Sequence, residues 1–330
     1  MQIDYSLILS RSFEITKRHK WLWVFGLVLV TFGAGGGGNW SSFRSFGETK
    51  KDFPPEIPKD TAHVLGQASS ALGAWLSSVP PSKWFLFGTS FFLLILFVLA
   101  ASWILRTWAK AALIAGVAEA GEGGQPTLLS TSPKGAAALK NLIIYSLIVF
   151  GITLALFLVI VSFFGATYLA LGGQLRVAWA VLGTLIGGLA LVLALVLLAF
   201  TNIYAERLIV LKGFFPWQAW KKGLSLSRDS FLPTVVMAII NSAVGCTVGC
   251  LGTLVLVAIF AIPAILLIYP LFQGGFHWPG FPTIVSLFAL IFLFINAGYL
   301  IQALLTVFSY SNWNLFFQEV WKKEECEKQS

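Results

Sequence analysis

Cys246 and Cys250 stand four residues apart, a spacing that puts two thiols on one face of a helix and could begin a soft-metal site. Closing such a site takes a third ligand, and none is near. His19, His63 and His277 are isolated, Cys326 lies close to the C-terminus, and no HExxH occurs. The pair therefore reads as packing, and no metal or cofactor is expected. A serine nucleophile would want a GxSxG turn and a histidine base, and the sequence offers no such turn and only His277, alone, at a membrane face. Intramembrane aspartyl chemistry is excluded because no predicted span contains Asp. No catalytic residue is expected.

Two other sets of residues can do chemistry of a milder kind. Asn241, Ser242 and Thr247 in one apolar run, with Asn296 and Gln302 in the next, must each find a hydrogen-bond partner inside hydrocarbon. They read first as glue between helices and second as the lining of a polar path. The other set is cationic and aromatic: Arg11, Lys17, Arg18 and Lys20 near the start, then Trp217, Trp220, Lys221, Lys222 and Arg228. Cations attract anionic headgroups and indoles settle at the membrane boundary, so these nine are candidate contacts for lipid or a partner.

The elements that must position both sets are transmembrane helices. From Ser230 to Gln318 the chain runs 89 residues without Asp, Glu, Lys or Arg, where a soluble domain would carry roughly 22 of them. Residues 84–105, 141–175 and 177–205 are also free of formal charge. Each reaches or exceeds the roughly 20 residues that carry a helix across about 30 Å of hydrocarbon. Apolar residues are 57% of the chain, charged ones 11%, and the mean hydropathy is +0.83. The net charge of +8 points to anionic lipid rather than nucleic acid, because no basic run exceeds the cluster from Lys17 to Lys20. Three cysteines give no disulfide framework.

The expected fold class is an all-α, polytopic transmembrane bundle of six spans near 21–37, 84–105, 141–166, 178–201, 233–265 and 283–308. Its domains are an interfacial helix over 1–20 and the bundle over 21–330, with an outer loop at 38–83 and a cytoplasmic tail at 309–330. Basic residues alternate as the positive-inside rule requires: the N-terminus, the 106–140 and 202–232 connections and the tail hold 16 of the 22. Both termini are expected in the cytoplasm of a plasma-membrane protein. None of the 13 tryptophans falls mid-span, which supports the same topology. The first span has a short apolar stretch before Gly33 and is read as a retained helix rather than a cleaved signal. The fifth apolar region, 233–271, is long enough to tilt, protrude or break near Gly249, Gly252 or Pro263.

Three connections have helical periodicity with one apolar and one charged face. Residues 3–20 set Ile3, Leu7, Ile8 and Ile15 against Arg11, Glu14, Lys17 and Arg18, and 216–231 starts with Pro216 and aligns Trp217, Trp220 and Leu224. The third, weaker segment is 127–142. Each precedes a crossing, so the order of elements predicts three units of interfacial helix, span, outer turn and returning span. Outside, 61–79 is expected to form an amphipathic helix stopped by Pro80 and Pro81. Gly245, Gly249 and Cys250, and separately Gly183 and Gly187, fit close helix packing and a homo-oligomer.

The stretches SRSFEITKRHKWLWVFG (10–26), RTWAKAALIAGV (106–117) and NIYAERLIVLKGFFPWQAWKKGLSL (202–226) resemble a family of uncharacterised six-helix bacterial integral membrane proteins. That family is similar to the membrane domain fused to some glycerophosphoryl diester phosphodiesterases. The catalytic barrel of those enzymes has no counterpart here, so the resemblance implies architecture and no catalytic residue. Three function classes follow. The leading one is a noncatalytic membrane protein that engages anionic lipid of the cytoplasmic leaflet, or a protein partner, through its elbow helices and basic face. The alternative is a transporter or lipid-handling channel with a polar path between the fifth and sixth helices. A membrane enzyme comes last.

Overall fold

The computed structural model describes residues 3–33, 80–170, 173–269 and 281–329. Every regular element among them is a helix. In chain order they are α1 (Tyr5–Arg18), α2 (Leu22–Phe32), α3 (Pro81–Gly121), α4 (Leu128–Ala170), α5 (Gly173–Lys212), α6 (Pro216–Asp229), α7 (Phe231–Ile268) and α8 (Phe281–Gln329). Five of them, α3, α4, α5, α7 and α8, are long and apolar enough to cross a bilayer, with mean hydropathies between 2.4 and 2.9. The chain is an all-α, multi-pass membrane protein.

The crossing helices are far longer than a bilayer needs. They run 41, 43, 40, 38 and 49 residues, and even the shortest reaches about 57 Å at 1.5 Å per residue. The first parts of the expected connections 106–140 and 202–232 are therefore helix, continuous with α3 to Gly121 and with α5 to Lys212. The tail beyond 309 is likewise the end of α8. The reason is packing: these segments carry charges yet bury their other faces on one another. Ala109, Ala111, Ala112, Leu113, Val117, Tyr204, Ala205, Leu208, Val307 and Phe316 are all fully enclosed. A charge count reads such a segment as a loop, whereas protein neighbours let the helix continue into the headgroup region and beyond.

The chain divides into two compact units, residues 1–38 with 104–330, and residues 39–103. The core of the first unit sits at one end of its long helices. It joins Ile8 and Ile15 of α1, Phe25 and Leu29 of α2, Ala112 and Leu113 of α3, Leu142 and Tyr145 of α4, Leu208 of α5, Leu226 of α6, Met237 of α7 and Phe316 of α8. The apolar lengths leading away from that core leave most side chains exposed. Phe150, Leu185, Leu254 and Phe292 are each 65–67% uncovered, which is stable only if lipid covers them. In the second unit, residues 83–100 form a helix with every side chain exposed, along which Phe87 meets Trp84 edge-on and stacks on Phe91.

Three other expectations change shape. The segment 127–142 is the opening of α4 rather than a separate interfacial helix. Thr127 and Ser130 start it by exchanging backbone N–H to hydroxyl bonds of 3.0 and 3.2 Å. Of the tilt, protrusion or break left open for 233–271, the break does not occur among the described residues: one helix runs through Gly249, Gly252 and Pro263 to Ile268. Where the first of six spans was expected at 21–37, the described residues hold α2, an apolar helix of 11 residues that is not among the five long enough to cross; 34–37 lie outside the described residues, as does the expected outer helix at 61–79. Pro81 opens α3, at a position where its missing N–H leaves no bond unmade.

Where α4 and α5 run side by side, Gly183 and Gly187 form a socket for the Phe164 ring. A Cβ at Gly183 would lie 2.7 Å from that ring. The other small-residue pair, Gly245 and Gly249, faces open space.

Candidate functional site

The two short helices hang on the packed end by one face each. Asp4 starts α1, its carboxylate accepting from the backbone N–H groups of Ser6 at 3.0 Å and Leu7 at 3.1 Å. The Ser6 hydroxyl also donates to it, and these bonds, the hydroxyl's first, hold the Asp4 carboxyl below the ordinary carboxylate range. α1 then lies on α8, with Ile8, Ser12, Ile15 and Thr16 buried and Tyr5 stacked against Phe316 at 6.5 Å. α6 starts with Pro216 and lies on α5. Its Gly223 lets the backbones meet, since a Cβ there would stand 3.0 Å from the Thr201 carbonyl and 3.1 Å from the Ala205 nitrogen.

The opposite faces hold the cationic and aromatic set. Arg11, Lys17, Arg18 and Lys20 are exposed. Leu7 and Phe13 stand 54% and 63% exposed among them, and Trp21 follows at 60%. The sequence grouped Leu7 with Ile8 and Ile15, but only the latter two turn into the protein; Leu7 points away with the charges. On α6, Trp217 is 49% exposed and stacks on Trp220 with ring centroids 5.1 Å apart, and the Lys221 ammonium sits 5.3 Å from the Trp217 ring centre. Lys221 and Arg228 line a shallow open hollow with Leu224, Ser225 and Asp229. Lys222 is placed differently from its neighbours. It forms an ion pair with Glu324 and faces the Trp321 ring, tying α6 to the end of α8.

The intramembrane polar residues divide. Asn241 joins α7 to α8: its amide donates to the Ser309 hydroxyl at 2.8 Å, and its carbonyl accepts from the Asn312 amide at 3.1 Å. Asn296 instead gives its amide to the Phe292 carbonyl of its own helix at 2.7 Å, on an exposed face. Gln302 is half-buried on α8, where its backbone carbonyl accepts from Thr306. The structure thus couples Asn241 to Ser309 and Asn312, which sequence reading had not grouped with it, and leaves Asn296 apart. Asn314 adds a second cross-link by donating to the Ile114 carbonyl of α3 at 2.8 Å. Cys246 and Cys250 are exposed on α7, and no group of three metal-ligating side chains occurs among the described residues.

A polar cluster at the packed end escaped the sequence reading. Lys110 of α3 donates to Glu206 of α5 at 2.7 Å, their side chains 23% and 17% exposed. Beside Glu206, Arg207 is 2% exposed. Its guanidinium donates to the Ile203 carbonyl at 2.6 Å and lies 6.0 Å from the Tyr310 ring centre. Tyr145 donates to the Asn202 carbonyl oxygen at 2.5 Å, and Tyr204 and Thr234 share a hydrogen bond of 2.6 Å. The signal in the sequence was faint: Arg106 and Lys110 are one turn apart, and the pair Glu206, Arg207 ends a charge-free run. Comparison with known protein families, curated proteins and solved structures finds no match.

Proposed function

We propose that this is a noncatalytic plasma-membrane protein with both termini in the cytoplasm, whose helices α1 and α6 engage anionic lipid of the inner leaflet. The observation that carries this reading is the composition of the two outward faces. Each places large apolar side chains, Leu7 and Phe13 or Trp217, among exposed cations that form no ion pair among the described residues, Arg11, Lys17 and Arg18 or Lys221 and Arg228. Water alone would be a poor neighbour for that mixture, while the headgroup boundary takes both kinds. The basic ends of the long helices favour the same side, since 16 of the 22 cations cluster there.

The test uses the full chain in nanodiscs. Adding phosphatidylglycerol to a phosphatidylcholine disc is expected to stabilise the protein, and replacing Lys17, Arg18, Lys221 and Arg228 by Gln is expected to remove most of that gain. Near a charged surface each cation is worth about 1 kcal/mol, so four of them give roughly 4 kcal/mol before screening. An equal gain for the variant and the parent protein would reject the reading.

A further inference from the structure

The cluster around Tyr310 holds more positive charge than its own carboxylate can answer. Arg106, Lys110, Glu206 and Arg207 all lie within electrostatic range of the Tyr310 phenol. That is three cations against one anion, and the one anion, bonded to Lys110 at 2.7 Å, is shared with Arg207 beside it. Arg207 is the telling member. A guanidinium has five N–H donors, and here one nitrogen serves the Ile203 carbonyl while the buried Nε has no partner. The Tyr310 hydroxyl also makes no hydrogen bond among the described residues. A buried cation with donors left over is expensive unless an anion completes it.

A purely structural role accounts for part of this. Arg207 braces its own helix and the Tyr310 ring, and Arg106 stands close to Gly33, where the C-terminal dipole of α2 favours a cation. Neither explains the unpartnered Nε or the uncompensated second positive charge. The depth of the cluster adds a second line. Arg106 directly follows the charge-free run 84–105 and Glu206 directly follows 177–205, so the cluster lies where hydrocarbon gives way to headgroups. Arg106, Lys110, Glu206 and Tyr310 are only half-buried, so the cluster is not sealed on every side.

We propose that α3, α5 and α8 hold a phosphate oxyanion between Arg106, Arg207 and the Tyr310 hydroxyl, with Glu206 keeping Lys110 occupied at its edge. Guanidinium groups pair with phosphate oxygens two bonds at a time, and a phenol supplies a third donor. The phosphate can belong to a lipid headgroup or be free in solution; the chemistry of recognition is the same.

Delipidated full-length protein in detergent, free of phosphate buffer, is titrated by calorimetry in separate arms with inorganic phosphate, with short-chain phosphatidylglycerol and with short-chain diacylglycerol. Saturable binding of phosphate, of the phospholipid or of both, without binding of diacylglycerol, is expected, and the responding arm identifies the source. Arg106→Gln and Tyr310→Phe, whose melting temperatures without ligand serve as the folding control, should each weaken binding at least tenfold. No binding in the two phosphate arms, or undiminished binding in both variants, would overturn the proposal. If Arg106→Gln and Tyr310→Phe bind undiminished while Lys17, Arg18, Lys221 and Arg228 still carry the nanodisc gain, this site alone fails; the converse sinks the surface reading alone.

Discussion

Replacing Glu206 by Gln should harm the protein far more than replacing Lys110 by Met, although both changes break the same ion pair. At an N···O distance of 2.7 Å the attraction is roughly 6 kcal/mol at an effective dielectric constant of 20, most of it cancelled by the loss of hydration. The asymmetry comes from the surroundings. Without Lys110, Glu206 still lies beside Arg207, and the part-exposed pair has lost about 1 kcal/mol. Without Glu206, Lys110 and the enclosed Arg207 have no carboxylate acting on them among the described residues, a situation that costs about 3 to 5 kcal/mol. The assay is reversible SDS unfolding followed by circular dichroism, on protein purified in phosphate-free detergent so that no added anion masks the loss. Equal costs, or a larger one for Lys110→Met, would refute the argument that Glu206 serves several cations.

Asn241→Leu should destabilise by about 1 kcal/mol in the same assay, because it removes two bonds between α7 and α8, while Asn296→Leu should change little, since that amide serves its own helix. Gly187→Leu should separate α4 from α5 by driving a side chain into the Phe164 ring, and Phe164→Ala should restore the pairing, read as cross-linking between cysteines placed on the two helices. His19, half-buried with Arg18 beside it, is held below its ordinary value of 6.5, first by burial and then by that charge. The unfolded chain therefore binds the proton more readily, so this residue's contribution is complete above about pH 6.5 and falls as the pH drops. The melting temperature should decline less between pH 7.5 and 5 in His19→Gln than in the parent protein.

The apolar runs at 84–105, 141–175, 177–205 and 230–318 announced the crossing helices, because hydrocarbon tolerates few charges. Pro216 and the Gly183, Gly187 pair were also legible, one from its fixed backbone angle and the other from its small size. The packed end was hidden for a physical reason. Hydropathy separates apolar from charged, but it does not separate a residue covered by lipid from one covered by protein. The stretch around Ala109, Ala111 and Ala112 looked like a charged connection, yet its small side chains let α4 approach so closely that a Cβ on Gly135 would stand 2.9 Å from Ala112. Lys110 meets Glu206 across 96 positions of sequence, a separation that no local pattern reports.

Contacts concentrate at one end, yet α7 still touches α8 at Gly252 against Ile301 and at Phe260 edge-on to Phe294, so the two helices form one lever. From the buried Met237 to Ile268 the helix extends roughly 46 Å, so a swing of about 5° at its base displaces the far tip by roughly 4 Å. Small rearrangements beside the fulcrum, too slight to alter any crossing, are thus amplified at the opposite leaflet. Spin labels on α7 and α4 near their remote ends would register that motion as a widening or narrowing of the gap between them.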